Sequence, residues 1–245
     1  MLLLREGPEM VNNSGGTVVE EMVRYYAERA PEYDLSAGYL SQEGEQQRLP
    51  IKTRYQQLFA GQKVLEIACG TGYWTEAIAE HAQSVLATDV NPTMLSIAQT
   101  RCARFNHVKF QQADAYSLAG VPGGFTAAFA VWWWSHIPKS RMRAFLTALH
   151  GKLVPGAKVL FVDQLRYEVS YLKGMAADRR EDAEGNTIER RVLSDGRRFE
   201  IVKNFPSEDE LIQALQGLGE EVVYVERAEE RHWNLTYSAL PSWQG

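Results

Sequence analysis

Cysteine is scarce in this chain, with only Cys69 and Cys102 among 245 residues. Two thiols do not amount to a disulfide framework, so we expect both to be reduced and the protein to be cytoplasmic. Long apolar runs are missing as well. The opening run from Met1 to Leu4 is too short for a signal peptide and ends at Arg5. Nowhere does a run approach the roughly 18 apolar residues of a membrane span, so no membrane partner is expected.

An excess of positive charge is also absent, because 26 Lys and Arg against 31 Asp and Glu leave a formal net charge of −5. A general nucleic-acid binder needs a basic face to release counterions, so no nucleic-acid partner is expected. We interpret the arginine pairs as solvated loop charge: Arg179-Arg180, Arg190-Arg191 and Arg197-Arg198. Cysteine, histidine and carboxylate residues do not cluster at metal-ligand spacing, so no metal site is expected.

The first 50 residues are predicted to form a flexible leader, residues 1–16, followed by an N-terminal lid helix. Apolar residues recur at three- and four-residue spacing from Thr17 to Ala30, which indicates a helix, and Pro31 ends it. Residues 51–245 are predicted to form one domain with an insertion at about 165–205. Ser207 with Glu210 three residues later predicts the capping box of a further helix.

Short apolar runs alternate with helical segments through the middle of the chain, which predicts a mostly parallel, doubly wound α/β sheet. Five strands are predicted, at 64–68, 84–89, 108–112, 125–132 and 158–163. In the insertion, Ser194-Asp195-Gly196 separates two strand-like runs and indicates a β-hairpin. Two final alternating runs, 221–226 and 233–238, predict an antiparallel edge pair.

Three features of this segment predict a nucleoside site. Glu66 to Gly72 forms a loop between the first strand and a helix, where Gly70 and Gly72 let the backbone turn tightly beside a ligand. Such loops lie at the carboxyl ends of parallel strands, where open sheets bind ligands. Asp89 ends the second strand and is placed to accept hydrogen bonds from ribose hydroxyls, and Asp114 follows the third and is placed to accept one from an adenine amino group.

A dinucleotide oxidoreductase would share the first two of these features. Its fingerprint has a third glycine three residues after the second, for close helix–strand packing, and this chain has Thr75 there. Glu66 also places a carboxylate beside the loop, which suits a cationic amino-acid group better than a pyrophosphate. We therefore expect a different nucleoside.

The segment from Val64 to Thr75, with Asp89, Asp114 and the five-strand pattern, resembles the class I S-adenosylmethionine (SAM)-dependent methyltransferases. The resemblance implies a Rossmann-like sheet of seven strands with an antiparallel last strand, and SAM as cofactor. The residues that it implies for cofactor binding are Tyr33, Glu66, Ala68, Gly70, Gly72, Asp89, Val90, Met94, Asp114 and Ala115. At Ala68 the family has glycine, and alanine is strained there if the loop needs a positive φ.

The segment after the fourth strand supplies the catalytic candidates. Trp132 is placed to attract the sulfonium through its ring, although tryptophans here also suit core packing. Strand alternation predicts that Trp133 faces the other way. His136 is a candidate general base, with a structural histidine as the alternative, and Asp163 at the end of the fifth strand is a candidate base or acceptor-orienting group.

The lid helix and the insertion are expected to cover the acceptor from two sides, which favours a small molecule methylated on O, N or S. The alternatives are a catalytically silent SAM-binding or scaffold protein and, with less support, an RNA or protein methyltransferase. The segment Val131 to Ser135 lacks the Asn/Asp-Pro-Pro-Tyr motif of amino-group nucleic-acid methylation. The sequence leaves the acceptor and the oligomeric state open.

Overall fold

The computed structural model describes residues 17–241 apart from residues 173 and 175. The predicted flexible leader, residues 1–16, lies outside the described residues. Seven strands form the main sheet: β1 Lys63–Ile67, β2 Ser84–Asp89, β3 Val108–Gln112, β4 Phe125–Val131, β5 Leu153–Gln164, β9 Gly219–Arg227 and β10 His232–Ala239. Their order across the sheet is β3-β2-β1-β4-β5-β10-β9. β1 to β5 run parallel and β10 runs antiparallel to both neighbours, which confirms the predicted fold class.

Helices cover both faces of the sheet because its strands bury side chains on both sides. The helices are α1 Val18–Arg29, α2 Tyr33–Ser36, α3 Gln42–Phe59, α4 Tyr73–Ala79, α5 Pro92–Arg101, α6 Met142–His150 and α7 Glu208–Ala214. Val64 and Phe129 pack on one face of the sheet with α3 to α5, whereas Leu65 and Phe161 pack on the other with α6 and α7. This alternation follows from the two-residue period of a strand. The predicted capping box at Ser207 is present.

The insertion forms a second antiparallel sheet of three strands, β6 Ala176–Glu181, β7 Thr187–Val192 and β8 Arg198–Val202. β7 and β8 are the predicted hairpin. The sequence missed β6, whose mostly polar residues show no apolar alternation because the strand lies at an edge. α1 buries Val18, Met22 and Tyr25 against this small sheet. The lid helix and the insertion therefore form one cover, rather than two covers on opposite sides of the site.

The interpretation of the arginine pairs as solvated loop charge is wrong for two of their members. Arg191 is 6% exposed and forms a 2.5 Å ion pair with fully buried Glu189. Arg179 is partly buried and pairs with the same carboxylate at 2.8 Å. Arg190, the neighbour of Arg191, is on the opposite face of β7 and is partly exposed, as the two-residue period of a strand predicts.

Among the described residues, none of the helices is long and apolar enough to cross a membrane.

Candidate functional site

A cavity of about 260 Å³ lies at the carboxyl ends of the parallel strands, between the sheet and the N-terminal helix α1. Ten of the sequence-predicted site residues line it: Tyr33, Ala68, Gly70, Asp89, Val90, Met94, Asp114, Ala115, Trp132 and His136. Glu66, Gly72 and Asp163 are not among its lining residues. The sheet topology brings nine of the ten together, because β3, β2, β1 and β4 are neighbours whose carboxyl ends lie at one edge. Tyr33 joins them from α2, which follows the lid helix.

The loop after β1 turns through three left-handed residues, Ala68 at φ 53°, Gly70 at φ 56° and Gly72 at φ 77°. Ala68 has the positive φ that the sequence marked as strained for alanine. An L-residue in this region costs roughly 1–2 kcal/mol relative to the right-handed conformation. The strain persists because the next residue, Cys69, is bonded to the neighbouring strand. Its N–H donates to the carbonyl of Thr88 at 2.9 Å.

Gly70 and Gly72 are required for different reasons. A Cβ on Gly70 would meet no atom within 4 Å, so this glycine faces open space in the cavity. A Cβ on Gly72 would lie 2.8 Å from the Cβ of Ala98 on α5 and 2.9 Å from its Cα. Gly72 therefore allows α5 to pack against the loop, whereas Gly70 leaves room for a ligand.

We expect Gly72→Ala to lower the free energy of unfolding by about 2–4 kcal/mol, because backbone strain adds to overpacking against Ala98. Gly70→Ala should cost only about 1 kcal/mol, from its positive φ, and should act mainly on ligand binding. Chemical denaturation and cofactor titration of both variants check this. Equal stability losses would contradict the distinction between the two glycines.

Both carboxylate oxygens of Asp89, at the floor of the cavity, accept hydrogen bonds from backbone N–H groups. Its Oδ2 accepts from the N–H of Gly70 at 2.9 Å and its Oδ1 from the N–H of Asn91 at 2.8 Å. Burial raises the pKa of this carboxyl, and the N–H donors oppose that shift. Asn91 is at the predicted N-cap of α5, but its side chain makes no capping bond and instead donates to the carbonyl of Val23 on α1 at 3.2 Å.

Two polar atoms at the wall near Asp114 and Ala115 lack protein partners. The Tyr116 hydroxyl and the Trp133 indole N–H are buried and make no hydrogen bond to any described residue. Asp114 itself is exposed, and its Oδ1 accepts from the N–H of Tyr116 at 3.0 Å. The sequence missed Tyr116 and Trp133 as lining residues. Only their closeness to Asp114 and Trp132 in the chain could have indicated them.

Glu66 is buried beneath the loop rather than at the cavity wall. It is 3% exposed, and its Oε2 accepts from the Thr75 hydroxyl at 2.5 Å. Burial raises the pKa of Glu66 to about 8, because the ionised form loses its hydration, and the nearby charge of Asp89 adds to the effect. Thr75 occupies the position where the dinucleotide fingerprint has its third glycine, and its hydroxyl donates a hydrogen bond that favours ionised Glu66.

The three tryptophans after β4 do not alternate as strand residues. The strand ends at Val131 and Trp132 has a left-handed φ of 61°, so the predicted alternation is wrong here. Trp132 and Trp133 both line the cavity. Trp134 is buried in the core against Phe161. The left-handed residue rotates the chain out of the strand pattern and brings two adjacent rings to the site.

His136 lines the cavity and is 4% exposed. Its Nδ1 lies 2.7 Å from the carbonyl oxygen of Val202 in β8, and its Nε2 lies 2.8 Å from the Tyr26 hydroxyl of α1. A carbonyl only accepts, so Nδ1 carries the proton and Nε2 accepts from Tyr26. Burial and the charge of Lys203 hold the pKa of His136 well below its ordinary value, so the ring is neutral.

Asp163 is fully buried outside the cavity lining. Its oxygens accept from the N–H of Ser135 at 2.8 Å and from the N–H of Gln164 at 2.7 Å. Lys203 forms an ion pair with it at 3.3 Å and also donates to the Ser135 hydroxyl at 2.8 Å. The carboxylate thus fixes the turn that carries Ser135 and His136. The sequence does not reveal Lys203 as its partner because the two residues lie 40 positions apart.

The segment that follows α1 is fastened to the glycine loop. Tyr33 lines the cavity with the guanidinium of Arg29 over its ring, 4.7 Å from the centroid. Asp34 accepts from the Thr71 hydroxyl at 2.6 Å and pairs with Arg101 of α5. These contacts tie the cover of the cavity to its floor.

Residues 64–156 match a family model described as a methyltransferase domain. The whole chain is also similar to a solved DhpI–SAM–HEP complex, with 30% identity over 90% of this chain and 97% of that one, at a TM-score of 0.69. A structure of DhpI with S-adenosylhomocysteine aligns equally well, at 29% identity and a TM-score of 0.69.

Curated relatives match the central segment of the chain. A demethylmenaquinone methyltransferase of Tropheryma whipplei is 30% identical over 101 residues, 41% of this chain and 41% of that protein. A ubiquinone biosynthesis O-methyltransferase of Azotobacter vinelandii is 30% identical over 115 residues, 46% of this chain and 49% of that protein. The chain thus spans less than half the length of the curated relatives that it matches.

Proposed function

This chain belongs to the class I SAM-dependent methyltransferase family, and we propose that it transfers a methyl group from SAM, the family's cofactor, to O, N or S of a small-molecule acceptor. The observation that carries the proposal is the shared cavity. The open backbone at Gly70, the carboxylates Asp89 and Asp114, and the side chains of Tyr26 and His136 all line it, and α1 forms one wall.

The residues of the cavity suit a nucleoside attached to an amino acid. We assign Asp89 to the ribose hydroxyls, because its carboxylate is at the cavity floor with its orientation fixed by two N–H groups. Val90 and Met94 supply apolar contacts for the adenine, and Asp114 with Ala115 supplies polar atoms at its edge. Gly70 leaves room for the amino-acid part, near the carboxyl of Glu66.

When bound, SAM supplies a methyl group made electrophilic by the sulfonium charge. The protein must then hold the acceptor in line and exclude water, a task of positioning. Trp132 places an aromatic ring in the cavity, where a cation would gain roughly 0.5–2 kcal/mol. His136 orients the Tyr26 hydroxyl at the acceptor end, since both of its ring nitrogens are already engaged. Asp163 is assigned to support of the Ser135 turn.

The cover favours a small acceptor. Val19, Met22, Val23 and Tyr26 of α1 form one wall of the cavity. This helix is fixed behind by the insertion sheet, so a polymer would have to displace it. The named methyltransferase relatives belong to menaquinone and ubiquinone synthesis, which agrees with a small-molecule acceptor.

The test offers SAM with a labelled methyl group together with a metabolite extract, total RNA and a denatured protein extract. We expect label in the metabolite fraction, dependent on the enzyme and lost with Asp89→Ala. Label in RNA or protein would contradict the small-molecule proposal. Tight S-adenosylhomocysteine binding without transfer to any fraction would instead favour the silent SAM-binding alternative.

A further inference from the structure

Trp132 lines the cavity from a backbone conformation that tryptophan rarely adopts. Its φ of 61° lies in the left-handed region, where a bulky side chain is strained and glycine would not be. The N–H of Trp132 donates to the carbonyl of Val162 in β5 at 2.8 Å, which fixes the backbone and leaves the ring to be held by its neighbours. A strained residue in the wall of a ligand cavity points to a functional use of the conformation that it holds.

Two side chains hold the indole of Trp132 from outside the cavity lining. The imidazole of His232, at the start of β10, lies nearly perpendicular to the indole, with an interplanar angle of 82° and ring centroids 5.9 Å apart. The Tyr39 hydroxyl lies near the indole, since burial raises the pKa of Tyr39 and hydrogen bonding to Trp132 opposes that shift. Neither His232 nor Tyr39 is among the residues that line the cavity.

The His232 ring is itself fixed in place. It is 1% exposed, and its Nδ1 donates to the carbonyl of Glu230 at 3.2 Å. Its Nε2 lies 3.3 Å from the Glu230 carboxylate without a hydrogen bond to any described residue, as expected of an unprotonated nitrogen. That carboxylate pairs with Arg54 of α3 at 2.9 Å. Burial holds the pKa of His232 below its ordinary value, so a neutral ring, rather than a second cation, lies against the indole.

A fixed indole in this wall can distinguish the cofactor from its product. SAM carries a positive charge on its sulfur, whereas S-adenosylhomocysteine, which remains after methyl transfer, is neutral at that atom. The face of a tryptophan attracts a nearby cation, and the attraction corresponds to about 2- to 30-fold in affinity. It requires the cation to lie over the ring, so a ring that is free to rotate loses most of it.

We propose that His232 is a positioning residue that holds the Trp132 ring against the cationic sulfur of SAM, so that the site discriminates SAM from the neutral product. The inference rests on the proposed function and adds to it how the site exchanges product for cofactor. His232 contacts neither ligand and acts only through Trp132.

The test measures the dissociation constants of SAM and S-adenosylhomocysteine by calorimetry, without an acceptor. In Trp132→Leu we expect SAM to bind about 3- to 30-fold more weakly and S-adenosylhomocysteine to stay within about twofold of the wild type. His232→Ala should act in the same direction, by at least about threefold on SAM. The ratio of the two constants is the readout, because a general loss of stability or of cavity shape weakens both ligands alike.

Two further variants of His232 separate its ring from its packing volume. His232→Phe retains an aromatic ring and should keep the wild-type ratio, whereas His232→Gln loses the ring and should change the ratio as alanine does. Added to Trp132→Leu, His232→Ala should change the ratio no further, because the two act as one unit. If His232→Ala does not fold, the comparison of His232→Gln with His232→Phe decides.

His150 provides the matched control. It is also a buried histidine against an aromatic ring, stacked on Tyr237 at 5.6 Å, and neither residue lines the cavity. His150→Ala should lower the melting temperature without changing the ratio of the two constants.

The proposal is overturned if Trp132→Leu weakens both ligands equally, or if the variants of His232 that lack a ring keep the wild-type ratio. Failure of the proposed function looks different, because neither SAM nor S-adenosylhomocysteine would then bind the wild-type protein.

Discussion

Replacing Asp89 with alanine is expected to weaken S-adenosylhomocysteine binding by at least about 100-fold, the largest loss among single changes in the cavity. The carboxylate accepts from the N–H groups of Gly70 and Asn91. Each charged hydrogen bond contributes roughly 1.5–3 kcal/mol, and about 1.4 kcal/mol corresponds to a tenfold change in affinity. Removing Asp89 therefore releases the glycine loop and also deletes the proposed contact with the ribose. Isothermal titration measures the loss directly.

Asp114→Ala is the matched control for this prediction. Asp114 lines the same cavity but is exposed, and its Oδ1 accepts from the N–H of Tyr116 in its own turn. We expect its effect on affinity to be at least several-fold smaller. Thermal melts of both variants separate binding from folding, and NAD serves as the control ligand. Unchanged S-adenosylhomocysteine affinity in Asp89→Ala, or tight NAD binding by the wild type, would contradict the assigned site.

The main sheet could be predicted because its signals are local. Each central strand is a short run of apolar residues buried on both faces, and β1 and β2 begin and end within one residue of the predicted bounds. The ends of parallel strands share one edge, so the sequence also indicated which loops would meet. Helix α3 gave no comparable signal, because Gly44 and Pro50 interrupt it and polar residues occupy much of its surface.

The parts of the site that the sequence could not predict depend on long-range contacts or on single backbone angles. Arg191 and its partly exposed neighbour Arg190 are the same residue type, and the register of β7 against β8 decides which of them is buried. The left-handed φ of Trp132 changes the direction of the aromatic segment, and the residue types at that point in the sequence do not predict a left-handed residue. Nothing in the sequence pairs Asp163 with Lys203 either. A carboxylate at the end of a strand therefore suggested catalysis, whereas in the structure Asp163 forms an ion pair with Lys203.

The buried carboxyl of Glu66 is expected to make cofactor affinity depend on pH, and its surroundings determine the direction of that dependence. The pKa of its carboxyl is raised by burial from 4.5 to about 8, so the free protein holds a proton on Glu66 at pH 6.

A raised pKa in the folded state also means that Glu66 favours folding fully below about pH 4.5, and that this contribution is lost as the pH rises through about 8. Glu66→Gln cannot ionise and should abolish that component of the pH dependence of stability.

S-adenosylhomocysteine affinity is therefore expected to increase between pH 6 and 8, by at most about tenfold per pH unit, and Glu66→Gln should flatten the profile. The physical reason is that the ammonium of the ligand stabilises ionised Glu66, so binding at pH 6 releases a proton that binding above pH 8 does not. Titration calorimetry in two buffers of different ionisation enthalpy counts that proton. Thr75→Val is the matched variant, since it removes a hydrogen bond that favours the ionised form and should move the midpoint to higher pH. A flat wild-type profile with no proton release would place the ligand's amino group away from Glu66.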